Sequence, residues 1–100
     1  MLAHRRTKIV GTIGPASQSP EMLEKLIKAG LNVARLNFSH GKHEDHLKVI
    51  NSIREISQKL KAPVALLQDL QGPKIRVGLL KNKKVFLKEG EEIRISTTVK

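Results

Sequence analysis

Residues 32–41 read Asn32-Val33-Ala34-Arg35-Leu36-Asn37-Phe38-Ser39-His40-Gly41, a short apolar run interrupted by one arginine and closed by a polar cluster. Taken over Asn32–Asn37, the run reads as a strand. Upstream, Ser19-Pro20-Glu21 supplies an N-cap serine, a proline at the first helical position and a carboxylate in the first turn, where the helix dipole favours it. Met22, Leu23, Leu26 and Ile27 then share one face, and Gly30 stands where a left-handed residue ends a helix of about ten residues. Before that helix, Lys8-Ile9-Val10-Gly11-Thr12-Ile13 is a β-branched run closed by Gly14-Pro15, too apolar for a strand with one face in water. Downstream, Val49, Ile50, Ile53, Ile56 and Leu60 recur at helical spacing within Lys42–Leu60. Pro63 ends that helix, and Val64-Ala65-Leu66-Leu67 makes a third apolar run stopping at Gln68-Asp69.

The order is βαβαβ, which implies parallel strands joined by right-handed crossovers, with helices covering the sheet. An open doubly wound sheet and a (β/α)8 barrel both begin this way. After Gly72-Pro73 the texture changes. Ile75-Arg76-Val77, Val85-Phe86-Leu87 and Ile93-Arg94-Ile95 are separated by Lys81-Asn82-Lys83-Lys84 and Lys88-Glu89-Gly90-Glu91, which is antiparallel β composition and marks a second module from about Val77.

At 100 residues the chain holds one domain at most, with 39% hydrophobic and 28% charged residues and a net charge of +10. No apolar run approaches the roughly 20 residues of a membrane span, and the basic start lacks the apolar core of a secretory signal. With no cysteine there is no disulfide framework, thiolate chemistry or cysteine-ligated zinc, and the cytoplasm is the default compartment. The positive excess points to an anionic partner. Phe38 and Phe86 are the only aromatic residues, so a base-stacking surface is poorly supplied and phosphate is favoured over nucleic acid. A basic α/β module that binds nucleic acid or another anion without catalysis is the rival reading.

In α/β folds, ligands gather at the C-terminal ends of parallel strands, so Thr12, Arg35, Asn37, Ser39, His40 and Asp69 are the informative polar residues. A guanidinium within a buried strand needs an anion or a carboxylate, which makes Arg35 a phosphate ligand or half of an ion pair with a residue such as Asp69. Spacing does not choose between them. Asn37, Ser39 and Asp69 offer hard oxygen donors for a small cation, although strand-end Asn and Ser commonly serve turns and caps. His40, His43 and His46 match no zinc spacing and read as a solvated helix start. Gly11-Thr12-Ile13-Gly14 lacks the residues of a phosphate-binding loop, and Lys81, Lys83 and Lys84 read as a solvated turn.

Three strings taken together carry more. Thr7-Lys8-Ile9-Val10 to Thr12-Ile13-Gly14-Pro15-Ala16-Ser17, Ala34-Arg35-Leu36-Asn37-Phe38-Ser39-His40-Gly41, and Asp69-Leu70-Gln71-Gly72-Pro73-Lys74-Ile75-Arg76 resemble, in order and spacing, the N-terminal part of the pyruvate kinase family. The resemblance implies the first βαβαβ units of a (β/α)8 TIM barrel over residues 1–76 and the beginning of a small β-rich lid domain over residues 77–100. It implies phosphoryl transfer from phosphoenolpyruvate to ADP, with a homotetramer as the complete enzyme. Arg35 would contact the substrate phosphate, which favours the anion-ligand role. Asn37, Phe38, Ser39 and His40 would lie in the nucleotide region, and Arg76 would reach the transferred or nucleotide phosphate. The magnesium ligands and the catalytic lysine of the family lie on later strands, so a fragment inactive by itself is expected, with an open sheet edge where a fourth strand pairs.

A monovalent cation in much of the family sits at the counterparts of Asn37, Ser39, Asp69 and the following residue, usually threonine and here Leu70. The family's common glutamate is here Lys74. A tethered ammonium supplies the positive charge that potassium would bring, so the resemblance together with these two departures predicts independence of potassium.

Overall fold

The computed structural model describes residues 4–73 and 75–98. The order is β1 (Val10–Thr12), α1 (Pro20–Ala29), β2 (Val33–Asn37), α2 (His43–Leu60) and β3 (Ala65–Asp69), with one short 3-10 turn at Lys81–Lys83. The strands form a parallel sheet in the order β1-β2-β3, so each helix is the crossover between neighbouring strands. Among the described residues no helix is long and apolar enough to cross a membrane.

Local signals account for the helix ends. The Ser19 hydroxyl accepts the Met22 N–H at 3.3 Å, and Gly30, at φ 119°, donates its N–H back to the carbonyls of Leu26 and Ile27. The Arg5 guanidinium donates to the Gly30 carbonyl, adding a positive charge at the negative end of α1. At the end of α2, Lys61 takes the left-handed conformation before Pro63 prevents continuation.

The core lies between the helices and one face of the sheet. Leu23 and Ile27 from α1, Ala34 and Leu36 from β2, and Val49, Ile53 and Ile56 from α2 are buried together, with Ile13, Leu31 and Ala62 completing the cluster. Alternation along β2 is thereby fixed: Ala34 and Leu36 turn towards the helices, and Val33, Arg35 and Asn37 turn the other way. Outside the core, Glu24 on α1 pairs with Lys28 at 2.8 Å and reaches Lys59 on α2 at 3.7 Å, and these ammonium groups hold its carboxyl below the ordinary carboxylate range.

The structure corrects four expectations. β1 is three residues long instead of the six of Lys8–Ile13, although hydrogen bonds to the Asn32–Arg35 backbone continue from Ile9 to Ile13. The sheet is not buried on both faces: Val10 is 56% and Leu67 45% exposed, because helices cover one side only. The third strand begins and ends later than Val64–Leu67, running to Asp69. The largest departure follows Gly72. None of the three antiparallel strands expected at Ile75–Val77, Val85–Leu87 and Ile93–Ile95 forms among the described residues, which are exposed from 75 to 98. A strand's backbone groups need a neighbouring strand, and these runs find none among the described residues.

Candidate functional site at the open face of the sheet

The strand register arranges the uncovered face in rows. Val10, Val33 and Ala65 form the first row, Thr12, Arg35 and Leu67 the second, and Asn37 and Asp69 the last, at the C-terminal ends of β2 and β3. Sequence positions far apart are thus drawn to one end of one face, where parallel sheets bind ligands.

Arg35 is the centre of that face. Its Nε donates to Oδ2 of Asp69 at 3.0 Å, its Nη2 donates to the same oxygen, and its Nη1 donates to the Thr12 hydroxyl at 3.0 Å. The guanidinium therefore bridges β1 and β3 from the middle strand. The ion-pair alternative for Arg35 is realised, with the side chains of Arg35 and Asp69 remaining 31% and 45% exposed. At that exposure an ion pair contributes at most about 1 kcal/mol, so it orients the arginine without locking it away from an anion. The guanidinium has more N–H groups than these contacts use, and Asp69 removes the need for a second carboxylate beside it.

The other candidates sort into those that meet Arg35 and those that do not. Asn37 is level with Asp69, but its Oδ1 accepts the Ser39 N–H at 3.0 Å, and its carbonyl accepts the His40 N–H at 3.3 Å. This is the turn role open to a strand-end asparagine. Phe38 packs against the core edge with its ring stacked on His46, centroids 4.3 Å apart, and tilted to His43 at 5.8 Å. His46 Nε2 donates to the His40 carbonyl at 2.7 Å, tying α2 to the loop after β2. The three histidines thus do not converge, and no group of three or more His, Asp or Glu among the described residues is placed to hold a metal ion. Leu70 and Arg76 are exposed, and no hydrogen bond or ion pair among the described residues ties Arg76 to Arg35. Lys74 lies outside the described residues.

For a monovalent cation, the register does bring Asn37 and Asp69 side by side, with Ser39 at the adjoining turn. The fit is partial: the turn uses the Asn37 oxygen, the arginine uses one Asp69 oxygen, and the side chain of Leu70 has no donor atom. Two hollows beside α2, of about 640 and 520 Å3, contain neither Arg35 nor Asp69, so the candidate site is the open sheet face and its rim.

The family pattern described as the pyruvate kinase barrel domain matches residues 4–100. The chain belongs to the pyruvate kinase family. The pyruvate kinase of Staphylococcus saprophyticus is 55% identical over 94 residues, covering 94% of this chain and 16% of that protein. That of Staphylococcus epidermidis is 53% identical over 92 residues, covering 92% of this chain and again 16% of the relative. The crystal structure of Cryptosporidium parvum pyruvate kinase superimposes with a TM-score of 0.74 at 46% identity, over 80% of this chain and 17% of that one. This chain thus spans about one sixth of the length of the pyruvate kinases it matches.

Thr12 is the functional candidate whose partner the sequence reading missed. It is one of the polar strand-end residues, but its link to Arg35 depends on the β1–β2 register, which no local signal reveals.

Proposed function

We propose that this chain is the opening part of a pyruvate kinase, a transferase that moves the phosphoryl group of phosphoenolpyruvate to ADP and yields pyruvate and ATP in glycolysis. Residues 1–76 would begin its (β/α)8 barrel and residues 77–100 its lid domain, with the remaining strands supplying partners for β3 and for the apolar runs after Gly72. A cytoplasmic homotetramer is the assembly the reading implies. The observation that carries it is the Arg35 guanidinium on the open sheet face, oriented by Thr12 and Asp69 and retaining N–H groups for an anion.

Phosphoryl transfer depends on positioning and on neutralising negative charge. Arg35 would meet the phosphate of phosphoenolpyruvate, while Asn37, Phe38, Ser39, His40 and Arg76 would border the nucleotide. When bound, magnesium would supply further charge neutralisation, from ligands on the later strands of the barrel. Asn37, Ser39 and Asp69 would line the monovalent-cation position. Leu70 and Lys74 depart from the family's cation-dependent pattern, which supports turnover without potassium, Lys74 supplying the charge.

A coupled assay of the full-length polypeptide with phosphoenolpyruvate and ADP tests this reading. Arg35→Lys keeps the charge but loses the fork of donors, and should lower kcat/KM by about a hundredfold. Near-parental kinetics would remove Arg35 from the role. A many-fold rise with potassium in sodium-free and ammonium-free buffer would count against Lys74 as the substitute cation.

A further inference from the structure

We propose that Thr12 is a positioning residue for phosphoryl transfer: its hydroxyl sets the plane in which the Arg35 guanidinium meets the substrate phosphate. The proposal rests on the preceding assignment of Arg35 to that phosphate. Asp69 alone leaves the arginine underdetermined, because Nε and Nη2 both donate to one carboxylate oxygen, Oδ2. A single oxygen is a pivot. The second point is the Thr12 hydroxyl, which accepts from Nη1 on another edge of the guanidinium at 3.0 Å. With one anchor on β1 and one on β3, the planar group is strung across three strands, and rotation about its own axis breaks one contact or the other.

The backbone makes this second anchor a rigid one. Thr12 pairs with Arg35 in the β1–β2 register, and the next residue, Ile13, donates its N–H to the Arg35 carbonyl at 2.9 Å. Ile13 is itself buried in the core, so the hydroxyl is carried by a backbone fixed from the other side of the sheet. A β-branched side chain adds stiffness at χ1. The side chain of Thr12 lies on the uncovered face and contributes nothing to the core cluster. Replacement by valine therefore keeps the shape and strand preference while deleting only the acceptor.

Hydrogen bonds to charged groups justify an effect of about tenfold when one partner is removed. In the full-length polypeptide, Thr12→Val and Thr12→Ala should each lower kcat/KM for phosphoenolpyruvate about tenfold, while Thr12→Ser, which restores the acceptor, recovers most of the loss. In an Arg35→Lys background Thr12→Val should cost less than about twofold, because the group it orients is gone. The Arg35 Nε–H resonance gives a readout independent of turnover: in the parent it should be protected from solvent exchange, and in Thr12→Val it should exchange about tenfold faster, with Thr12→Ser near the parent. Unchanged exchange in both Thr12→Val and Thr12→Ala overturns the proposal whatever the activity. So does an undiminished effect of Thr12→Val when lysine replaces Arg35. A parent that exchanges as expected but does not turn over phosphoenolpyruvate and ADP instead refutes the functional assignment and leaves the orienting contact standing.

Discussion

Residues 8–69 and residues 75–98 have similar supplies of apolar side chains and opposite fates. In the first region Leu23 and Ile27 are fully buried and Ile53 is 1% exposed, whereas in the second Ile75, Leu79 and Phe86 are 102%, 106% and 86% exposed. The difference lies in the backbone. A helix satisfies its own N–H and C=O groups and then needs only a surface for its apolar face, and each helix here returns the chain beside the previous strand. The apolar runs after Gly72 must find a partner before they can bury anything, and a lone hairpin in water is marginal. Apolar content alone therefore does not make a core.

Ile53→Ala presses hardest on this contrast. It removes a side chain from the centre of the helix–sheet layer and should destabilise the 100-residue chain by about 2–5 kcal/mol, measured by denaturant titration of the helical circular dichroism signal. A loss under about 1 kcal/mol would mean that the layer is loosely packed. Phe86→Ser removes a still larger apolar group from the other region, and in the same chain should stay within about 0.5 kcal/mol of the parent. A cost comparable with that of Ile53→Ala would show that residues 75–98 bury their apolar side chains after all, and the contrast would fail.

The smallest effect concerns the exposed rim of the first region. Lys28, and then Lys59, hold the Glu24 carboxyl below its ordinary range, so its ionised form is favoured by folding. That stabilisation is present above the unfolded carboxyl's titration and is lost as pH falls through the lowered folded value. Glu24→Gln should therefore flatten the acid side of a plot of denaturation midpoint against pH, with the neutral region hardly altered. Superimposable acid limbs for variant and parent would leave the contact between α1 and α2 to apolar packing alone.

What could be read from the sequence and what could not divide along the distance over which each decision is made. The β-α-β-α-β order, the Ser19 and Gly30 caps and the stop at Pro63 were legible because each depends on residues within a turn or two of chain. Arg35 and Asp69 were both legible as residues that needed explaining, since charge at the end of an apolar strand is costly without a partner. The identity of the partners was not. Asp69 is 34 and Thr12 23 positions away from Arg35, and only parallel register brings them together. The turn role of the Asn37 oxygen and the stacking of His46 on Phe38 likewise required the loop after β2 to be seen folded against α2.

The strand composition after Gly72 marks the opposite limit. Side-chain pattern declares which face a strand would bury, but hydrogen-bond partners decide whether the strand exists. The sequence by itself therefore determined the local elements, their order and the chemical character of the strand ends. The tertiary structure alone decided which face of the sheet lies open, that Arg35 is held between Thr12 and Asp69, and that residues 75–98 form no ladder among themselves. The reason is that each of these outcomes rests on contacts between groups distant along the chain, whose meeting no local preference encodes.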